Sequence, residues 1–414
     1  MLKAWFAIKL WKRILGALVL GIIVGLIWGE GADSIGWIGD AFVRLIRMLV
    51  VPLILTTLVA GVVAMGDPKR LGSIGIKAIA LYMVTTAFAI TIGLTLGTVL
   101  EPGANVDLAG IEGEKIGEPM TPLERFMGII PTNPVAALAS GNVLAIILFA
   151  ILLGIGILMA GDRGRPLGSV FESAADVMIK ITHIVMEIAP FGVFALIARV
   201  AGTQGFETLF SVFGLVIALY GGCLLHMIIV HGGLIKFVLR LPALAFFRGA
   251  LDAQMVAYST SSSSATLPVT ISVARDNLGI GRPVTSSVLP LGATINMDGT
   301  ALYIGIVALF AAQAFGIDLS FTDYLLIALA TTMASIGAAG VPSASLFLLA
   351  SVLGVFGISD TQTGIIVAFV LPFDRVLDMM RTVTNVTGDL AVASTVAKTE
   401  GELDEASFRA PPVE

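Results

Sequence analysis

The feature of this sequence that most constrains its fold is a series of long apolar segments. A helix that crosses a bilayer needs about 20 consecutive apolar residues. Six segments meet that length, near residues 11–29, 37–65, 74–101, 129–160, 170–200 and 206–233. Only 13% of the residues are Asp, Glu, Lys or Arg, whereas a soluble domain usually contains about 25%. The pattern predicts an all-α, multi-pass integral membrane protein in a lipid bilayer, and it excludes an ordinary soluble enzyme.

The distribution of charge predicts the orientation of the chain. Lys and Arg concentrate in the cytoplasmic loops of membrane proteins. With the amino terminus inside, the inner loops hold basic residues at 69–77, 163–165 and 236–248, and the outer loops are mainly acidic. We therefore expect a protein of the inner (cytoplasmic) cell membrane with both termini in the cytoplasm. The net charge of -5 argues against nucleic acid as a partner.

Two later stretches, 243–314 and 322–395, are too long for one span and are broken by Pro, Gly and Ser. Each contains a run of small residues with one proline, Ser259–Pro268 in the first and Ser335–Ser345 in the second. The apolar arms beside each run have roughly 12–15 residues, which is too short to cross the membrane. This favours two re-entrant helical hairpins whose tips lie at membrane depth. A Ser-rich kink in a continuous helix is the alternative.

The two stretches repeat one order of features. The first run is followed by a span that contains Asn296–Thr300, and the second by a span that contains Asn385–Asp389. Each half therefore reads as a hairpin, then a span, then a cluster of Asn, Gly and Asp. Paired interrupted segments of this kind are typical of inverted repeats that form a binding site near the bilayer midplane.

The last span carries its charged residues on one face. Asp374, Asp378, Arg381, Asn385 and Asp389 follow one another at intervals of four, three, four and four. On a helix they occupy an arc of roughly 80°. Ionisable side chains inside a membrane are costly unless they are paired or hydrated, so we expect these residues to line an interior site. A solvated face at the helix end is the alternative.

Charge balance limits what such a site can bind. Asp298 and the three Asp residues of the last span, set against Arg381, leave a net charge of about −3, which a low-dielectric site cannot hold uncompensated. Arg381 offers a planar fork that suits a carboxylate. Cations must then enter with an anionic solute. The oxygen-rich surroundings of the Asp residues suit Na⁺, and a proton on one Asp is the alternative.

These motifs resemble those of the dicarboxylate/amino acid:cation symporters, which include prokaryotic glutamate/aspartate transporters and the mammalian excitatory amino acid transporters. The resemblance covers almost the whole chain and rests on Arg47–Pro52, Ser261–Pro268, Asn296–Tyr303, Ser335–Pro342 and Asp374–Asp389. It implies a homotrimer of subunits with eight transmembrane helices, two opposed re-entrant hairpins and inverted repeats. The implied activity is cation-coupled symport of aspartate or glutamate by an elevator movement, with no enzymatic reaction and no organic cofactor.

The resemblance also implies how the chain is divided. Residues 1–73 and 102–203 would form a fixed trimerisation scaffold, and residues 74–101 and 204–395 would form a mobile transport domain with the second hairpin as outer gate. Residues 396–414 would be a cytoplasmic tail, which is polar after Lys398. We expect that tail to be a solvated end.

The resemblance assigns the substrate site position by position. Arg381 would bind the side-chain carboxylate of the substrate, with Asp374 as the partner of Arg381, and Asp378 would bind the substrate ammonium group. The main-chain carboxylate and amine of the substrate would be held by Thr382, Asn385, Thr300, Ser263 and Val341.

Three Na⁺ sites are implied in the same way. The first would use Gly292, Asn296, Asn385 and Asp389. The second would use Tyr82, Thr85, Thr86, Asn296 and Asp298. The third would use Thr294, Ser335, Ile336 and Ala338, with Met297 nearby.

Several positions depart from the family pattern. Ile304 stands where mammalian members have Glu and archaeal members have Gln, so proton co-transport and K⁺ counter-transport by that route are not expected. Ser261 and Met379 occupy the two places where an arginine is found in the family, at the first hairpin tip or beside the substrate Asp.

Other interpretations remain open at the level of sequence. Gly388-Asp389 and the other buried Asp residues prompt an intramembrane aspartyl protease, which does not explain Arg381 or the hairpins. A proton-coupled dicarboxylate or glutamate symporter is the alternative within the same class, and an anion channel would need no cation-coordinating cluster. We expect His226 and His231 near the cytoplasmic end of the sixth span and outside any metal site.

Overall fold

The computed structural model describes residues 8, 10–64, 68–104, 106, 127, 130–338 and 344–412. Within these ranges the regular structure is helical, and the single β contact is an isolated antiparallel bridge between Ile280 and Leu403. The expectation of an all-α chain is therefore confirmed.

The helices are numbered in chain order. They are α1 (Leu10–Trp28), α2 (Gly36–Ala64), α3 (Pro68–Leu100), α4 (Pro134–Ser140), α5 (Val143–Met159), α6 (Arg165–Met186), α7 (Ala189–His226), α8 (Ala243–Thr260), α9 (Ser263–Asp276), α10 (Arg282–Ile295), α11 (Asp298–Ala314), α12 (Phe321–Ile336), α13 (Ala344–Leu353), α14 (Asp360–Glu400) and α15 (Glu405–Arg409). Short 3₁₀ helices occupy Gly29–Ile35, Gly161–Arg163 and Gly354–Phe356, and π turns occupy Met227–His231 and Leu234–Val238.

Several helices have the length and composition of membrane spans. In the described part of the chain, four segments qualify, namely Lys12–Phe42, Ser73–Leu100, Phe213–Val238 and Arg282–Ala314. The bent pair Arg165–Met186 and Ala189–Thr203, with an angle of 50° between its halves, would make a fifth. A multi-pass arrangement follows from these segments, while the count of eight transmembrane helices stays a prediction.

The predicted span near 129–160 is broken into two helices. α4 ends at Ser140, and Gly141 then takes a φ of 73°, a conformation that glycine adopts at little cost. Asn142 begins the next helix, because its side chain accepts a hydrogen bond from the Ala145 N–H at 3.3 Å. The single-span prediction was wrong here, since Asn and Gly together cap both helices.

The predicted boundary between the fifth and sixth spans is also misplaced. α6 ends at Met186, and α7 begins at Ala189 with Pro190 in its first turn, where a missing N–H costs nothing. α7 then continues through residues 201–205 to His226. The interruption therefore lies at the proline, inside the stretch predicted as one span.

The helices pack in two groups that share α7. α1 packs against α7, and α2 packs against α5, α6 and α7. The second group surrounds α11, which contacts α3, α7, α12, α13 and α14. In α11 every residue except Gln313 is buried, which is the behaviour of a helix that is apolar on all sides. The polar residues at the first turn of α11 are therefore held deep in the protein.

Both interrupted segments form helix pairs. α8 and α9 pack against each other and meet at Ser261 and Ser262, where Ser261 has a φ of 52° and the Ser262 hydroxyl accepts from the Ala265 N–H at 3.1 Å. α12 and α13 form the second pair. The turn between them, residues 339–343, lies outside the described residues. The structure therefore contains the helix–tip–helix arrangement at the first run, and the re-entrant placement of both pairs stays a prediction.

The end of the chain is docked onto this second group, and the expectation of a solvated tail was wrong. The Gly281 N–H donates to the Glu402 carbonyl at 2.8 Å, and the Asp404 N–H donates to the Gly279 carbonyl at 2.9 Å. Phe408 of α15 is only 1% exposed. Because these bonds reach the connection between α9 and α10, the tail fastens the base of the first helix pair.

We predict that Phe408→Ala destabilises the protein by about 3–5 kcal/mol, the usual cost of emptying a buried Phe site. The measurement is the thermal unfolding midpoint of the purified protein in detergent. Arg409→Ala, at an exposed position of the same short helix, is the control and should stay close to the unsubstituted protein. Equal midpoints for the two variants would contradict the docking of the tail.

Candidate functional site

The centre of the candidate site is the buried guanidinium of Arg381. Its Nη2 donates to Asp374 Oδ1 at 2.9 Å and lies 2.8 Å from Asp378 Oδ1. Its plane lies over the Tyr303 ring, with 4.0 Å between the guanidinium carbon and the ring centroid. The four- and three-residue spacing of Asp374, Asp378 and Arg381 in α14 thus brings these side chains together, as the sequence predicts.

Arg381 retains unused hydrogen-bonding capacity. Among the described residues, its Nε and Nη1 have no hydrogen-bond partner, although the side chain is 0% exposed. Unpaired buried donors are rare in proteins and call for an explanation. A guanidinium anchored through one nitrogen can present its other nitrogens to an anionic ligand.

A second arginine of α14 reaches the tip of the first helix pair. Arg375 is 7% exposed, and its Nη2 lies 3.3 Å from the Thr260 carbonyl and 3.4 Å from the Ser259 carbonyl. These carbonyls end α8, where positive charge is favourable. The sequence has Ser261 and Met379 where the family has an arginine, and its pattern did not predict that Arg375 would contact this tip from α14.

A second cluster lies where the helix breaks between α10 and α11. The Asn296 side-chain amide donates to Asp389 Oδ1 at 2.9 Å, and Asn385 Oδ1 accepts from the Gly299 N–H at 2.8 Å. The Asn385 amide also donates to the Met297 sulfur at 3.2 Å. The break frees backbone groups that α14 then satisfies. The predicted first set, Gly292, Asn296, Asn385 and Asp389, is therefore assembled in one place.

Glycines allow α14 and the broken helix to approach this closely. A Cβ at Gly292 would meet the Asp389 carboxylate and the Tyr82 hydroxyl, and a Cβ at Gly388 would lie 2.7 Å from Asn296 Nδ2. At Gly299 a Cβ would collide with the backbone of Arg381. The Gly in each Asn/Gly/Asp cluster thus serves packing, with the polar neighbours held against one another.

Asp298 forms a third cluster with side chains from α3 and from the end of α7. Its Oδ1 accepts from Thr86 at 2.8 Å and from Thr85 at 3.3 Å. Its Oδ2 lies 3.2 Å from the Nε2 atoms of both His226 and His231. The predicted association of Thr85, Thr86 and Asp298 is present. The sequence predicted His226 and His231 near the cytoplasmic end of the sixth span and outside any metal site, and their contact with Asp298 was missed.

Tyr82 and Thr294, from the second and third predicted Na⁺ sets, lie in different surroundings. Tyr82 is fully buried and donates to the Val288 carbonyl at 3.0 Å, beside Gly292. Thr294 lines a cavity of about 480 Å³ together with Ile336, Gly337 and Ala338. Ser335 is buried next to this cavity and donates to the Thr332 carbonyl at 2.9 Å. Residues of the third predicted set therefore lie near one another.

The remaining predicted residues are placed less specifically. Thr382 is buried and its hydroxyl donates to the Asp378 carbonyl at 2.9 Å. Thr300 and Ser263 are buried at the starts of α11 and α9. Val341 lies outside the described residues.

The buried charges of this region do not cancel. The four carboxylates of Asp298, Asp374, Asp378 and Asp389 are buried, and so are the guanidinium groups of Arg375 and Arg381. Four negative and two positive groups leave a formal charge of −2. The net charge of about −3 expected from the sequence did not include Arg375. A remaining negative charge in a low-dielectric interior favours entry of cations.

We predict that Gly299→Ala destabilises the protein by about 1–3 kcal/mol, since overpacking against rigid backbone usually costs that much. Gly305→Ala in the same helix is the matched control, because the nearest atom to its added Cβ would lie at 3.7 Å, an ordinary contact. Thermal unfolding in detergent measures both. A Gly299 variant as stable as the Gly305 variant would contradict the close approach of α11 and α14.

Comparison with known proteins identifies the group to which this chain is related. The proton/sodium-glutamate symport protein of Bacillus caldotenax is 35% identical over 407 residues, covering 95% of each chain. The proton/glutamate-aspartate symporter of Escherichia coli (strain K12) is 37% identical over 412 residues, covering 95% of this chain and 93% of the relative. The C4-dicarboxylate transport protein 3 of Bradyrhizobium diazoefficiens is 33% identical over 419 residues, covering 99% of this chain and 92% of the relative.

These relatives are transport proteins and not enzymes, which removes the aspartyl protease interpretation. A family model described as the sodium:dicarboxylate symporter family matches residues 10–399. The chain, a multi-pass membrane protein, belongs to the sodium:dicarboxylate symporter family.

Proposed function

We propose that this protein is a secondary active transporter that carries an acidic amino acid, aspartate or glutamate, into the cell together with Na⁺. The observation that carries the proposal is the buried Arg381, which has two unpaired nitrogens in a region of net negative charge. An anionic substrate satisfies the guanidinium and adds to the negative charge. Cations that enter with the substrate offset the negative charge of the buried region and the negative charge of the substrate.

We assign the substrate to the cluster around Arg381 in α14. Arg381 binds the side-chain carboxylate through its unpaired nitrogens, and Asp374 and Tyr303 hold the guanidinium in place. Asp378 binds the substrate ammonium group, and Thr300, Thr382, Asn385, Ser263 and Val341 hold the main-chain groups. The 2.8 Å contact between Asp378 and Arg381 supports this assignment. The side-chain carboxylate and the ammonium group of a small amino acid lie close together, so the residues that bind them must do so too.

The cation side is assigned to oxygen atoms around the helix break. Asn296 Oδ1 is buried without a hydrogen-bond partner among the described residues, and it belongs to the residue that holds Asp389. Amide and carboxylate oxygens suit hard cations. We assign Na⁺ to three places, at Asp389 with Gly292, Asn296 and Asn385, at Asp298 with Tyr82, Thr85 and Thr86, and at Thr294 with Ser335, Ile336 and Ala338 beside Met297.

The transport movement is part of the same proposal. We assign residues 1–73 and 102–203 to a trimeric scaffold and residues 74–101 and 204–395 to a domain that carries the substrate across the inner membrane as an elevator. α1, α2, α5 and α6 pack mainly against one another and against α7, with fewer contacts to the group around α11, which supports this division. The second helix pair would then serve as the outer gate.

Proton coupling is the second candidate. It is favoured by the names of two relatives, of which one names a proton together with sodium and the other names a proton alone. Uptake of radiolabelled aspartate and glutamate into proteoliposomes, with Na⁺ and H⁺ gradients imposed one at a time, separates the two candidates. If uptake follows the proton gradient and does not respond to the Na⁺ gradient, the coupling ion is H⁺.

We predict that Arg381→Lys lowers kcat/KM for aspartate uptake by more than about 100-fold. A Lys ammonium keeps the positive charge but cannot bind a carboxylate through two nitrogens. Each hydrogen bond to a charged group contributes about 1.5–3 kcal/mol, so the loss of two accounts for the decrease. Radiolabelled uptake in proteoliposomes is the measurement. Arg275→Lys, at an exposed position of α9, is the control, and equal uptake by the two variants would remove the substrate assignment.

We predict that Asp378→Asn weakens aspartate binding by about tenfold or more relative to succinate, which lacks an ammonium group, since a hydrogen bond to a charged group contributes about 1.5–3 kcal/mol. Competition of unlabelled aspartate and succinate against labelled aspartate gives the ratio. An equal loss for both competitors would contradict the role of Asp378.

We predict that Asp389→Asn raises the Na⁺ concentration for half-maximal aspartate binding by about tenfold or more, because the substitution removes the negative charge that attracts the cation. A Na⁺ titration of aspartate binding by the purified protein measures this. Asp318→Asn, at an exposed position after α11, is the control. Identical titrations for both variants would exclude Asp389 from cation binding.

A further inference from the structure

The end of α7 is wound in an unusual way. Met227–His231 forms a π turn, and the Gly232 N–H closes it by donating to the Met227 carbonyl. In an α-helix, residues five apart point about 140° away from each other. A π turn bonds each residue to the fifth one along, so residues at that spacing come to lie on one face. His226 and His231 are five residues apart and therefore project in the same direction.

Both imidazoles end at the same carboxylate oxygen. Each Nε2 lies 3.2 Å from Asp298 Oδ2, and all three side chains are 0% exposed. The ring centroids are 4.6 Å apart at an interplanar angle of 83°, which lets two rings converge on one atom. Because a carboxylate oxygen can only accept, each Nε2 in this arrangement carries the hydrogen.

The two oxygens of Asp298 thus have separate partners. Oδ2 is held by the two imidazoles, and Oδ1 faces the hydroxyls of Thr85 and Thr86. A hydroxyl can turn its hydrogen away and offer an oxygen to a cation, whereas an Nε2–H cannot. The imidazoles therefore fix the carboxylate with Oδ1 turned toward Thr85 and Thr86.

Direct binding of a metal ion by the two imidazoles fits the structure less well. Among the described residues, Nδ1 of His226 and Nδ1 of His231 have no hydrogen-bond partner. A metal-bound imidazole usually donates its other N–H to an acceptor, and a metal on Nε2 would leave two buried Nδ1–H groups unpaired. With the hydrogens on Nε2, the unpaired Nδ1 atoms are only acceptors.

We propose that His226 and His231 are positioning residues that weaken Na⁺ binding at Asp298 by stabilising the carboxylate while no cation is bound; this inference rests on the proposed Na⁺ site at Thr85, Thr86 and Asp298. A buried carboxylate without a cation depends on every donor that it has. A carboxylate that already binds Na⁺ depends on them less. Removing one imidazole donor therefore costs the cation-free protein more than the cation-bound protein, and the cation binds more tightly.

Tight binding is a disadvantage in transport, because a cation that enters must also leave. The N–H groups of the two imidazoles replace part of the stabilisation that the cation gives to the carboxylate. The carboxylate can therefore stay buried without Na⁺ during the rest of the transport cycle. Their N–H groups thereby set how readily this site empties.

The test is a Na⁺ titration of labelled aspartate binding by the purified full-length protein, at one fixed pH with EDTA present. His231→Phe keeps a ring of similar size and removes the N–H, and we expect its half-saturating Na⁺ concentration to fall about tenfold. His231→Gln retains an N–H donor and should stay within about threefold of the unsubstituted protein. Thr86→Val removes a cation-facing oxygen and should shift the half-saturating concentration upward.

The opposite directions of these shifts separate positioning from general damage, since a loosened structure would weaken Na⁺ binding in every variant. His226→Phe provides a second chance to observe the fall if His231→Phe does not fold. An unchanged or raised half-saturating concentration in a folded Phe variant overturns the inference. A Gln variant that behaves like the Phe variant does so as well.

The titration also distinguishes this inference from the proposed function. If aspartate binding by the unsubstituted protein does not respond to Na⁺, the proposed Na⁺ coupling fails before any variant is compared. If the unsubstituted protein responds and the Phe variants do not differ from it, the role of the imidazoles alone fails.

Discussion

The compensation of buried carboxylates is the constraint on which the interior of this protein depends. The four carboxylates are satisfied to very different degrees. Asp374 and Asp378 face a guanidinium, and Asp298 accepts from four side-chain donors. Asp389 has one side-chain donor among the described residues, the amide of Asn296. Because burial penalises an unpaired charge, a cation stabilises most the carboxylate with the fewest donors. Among these carboxylates, that is Asp389.

Interrupted helices make this arrangement possible. A continuous helix would use its own backbone groups in internal hydrogen bonds, so those groups would not be available to side chains of other helices. The break at Asn296 and Met297 instead exposes the Gly299 N–H to Asn385, and the tip at Ser261 exposes carbonyls to Arg375. Irregular backbone inside a membrane protein is tolerated where other groups satisfy it. Here α14 supplies those groups at both places.

Much of this architecture follows from the sequence, for identifiable reasons. The stripe from Asp374 to Asp389 has a helical period, so its side chains had to share a face, and the structure places them on one buried face. The small-residue run at Ser259–Pro268 could not continue an apolar helix, and a tip occurs there. These are local properties that spacing and residue type express directly.

Other features depended on information that spacing does not carry. Asn142 and Gly141 cap two helices where hydropathy suggested one, and α7 runs through a predicted loop because its composition is compatible with either state. The tail docks through Phe408, one of the few large apolar residues in a polar segment that has no periodicity to reveal it. Arg375 and the two histidines depend on the three-dimensional course of the chain. A five-residue interval indicates opposite faces under the α-helical rule and one face only in a π turn.

The π turn has a consequence for how this family can diversify. Relative to a regular helix, a π turn accommodates one extra residue, so a one-residue deletion between His226 and His231 would restore regular winding and leave the two histidines four residues apart, about 40° from each other. The two imidazoles would then still share a helix face, but the second would approach Asp298 from a different position, without any substitution at the carboxylate. The loss of one codon would thus alter that approach in a single step, with the carboxylate and its hydroxyl partners left intact.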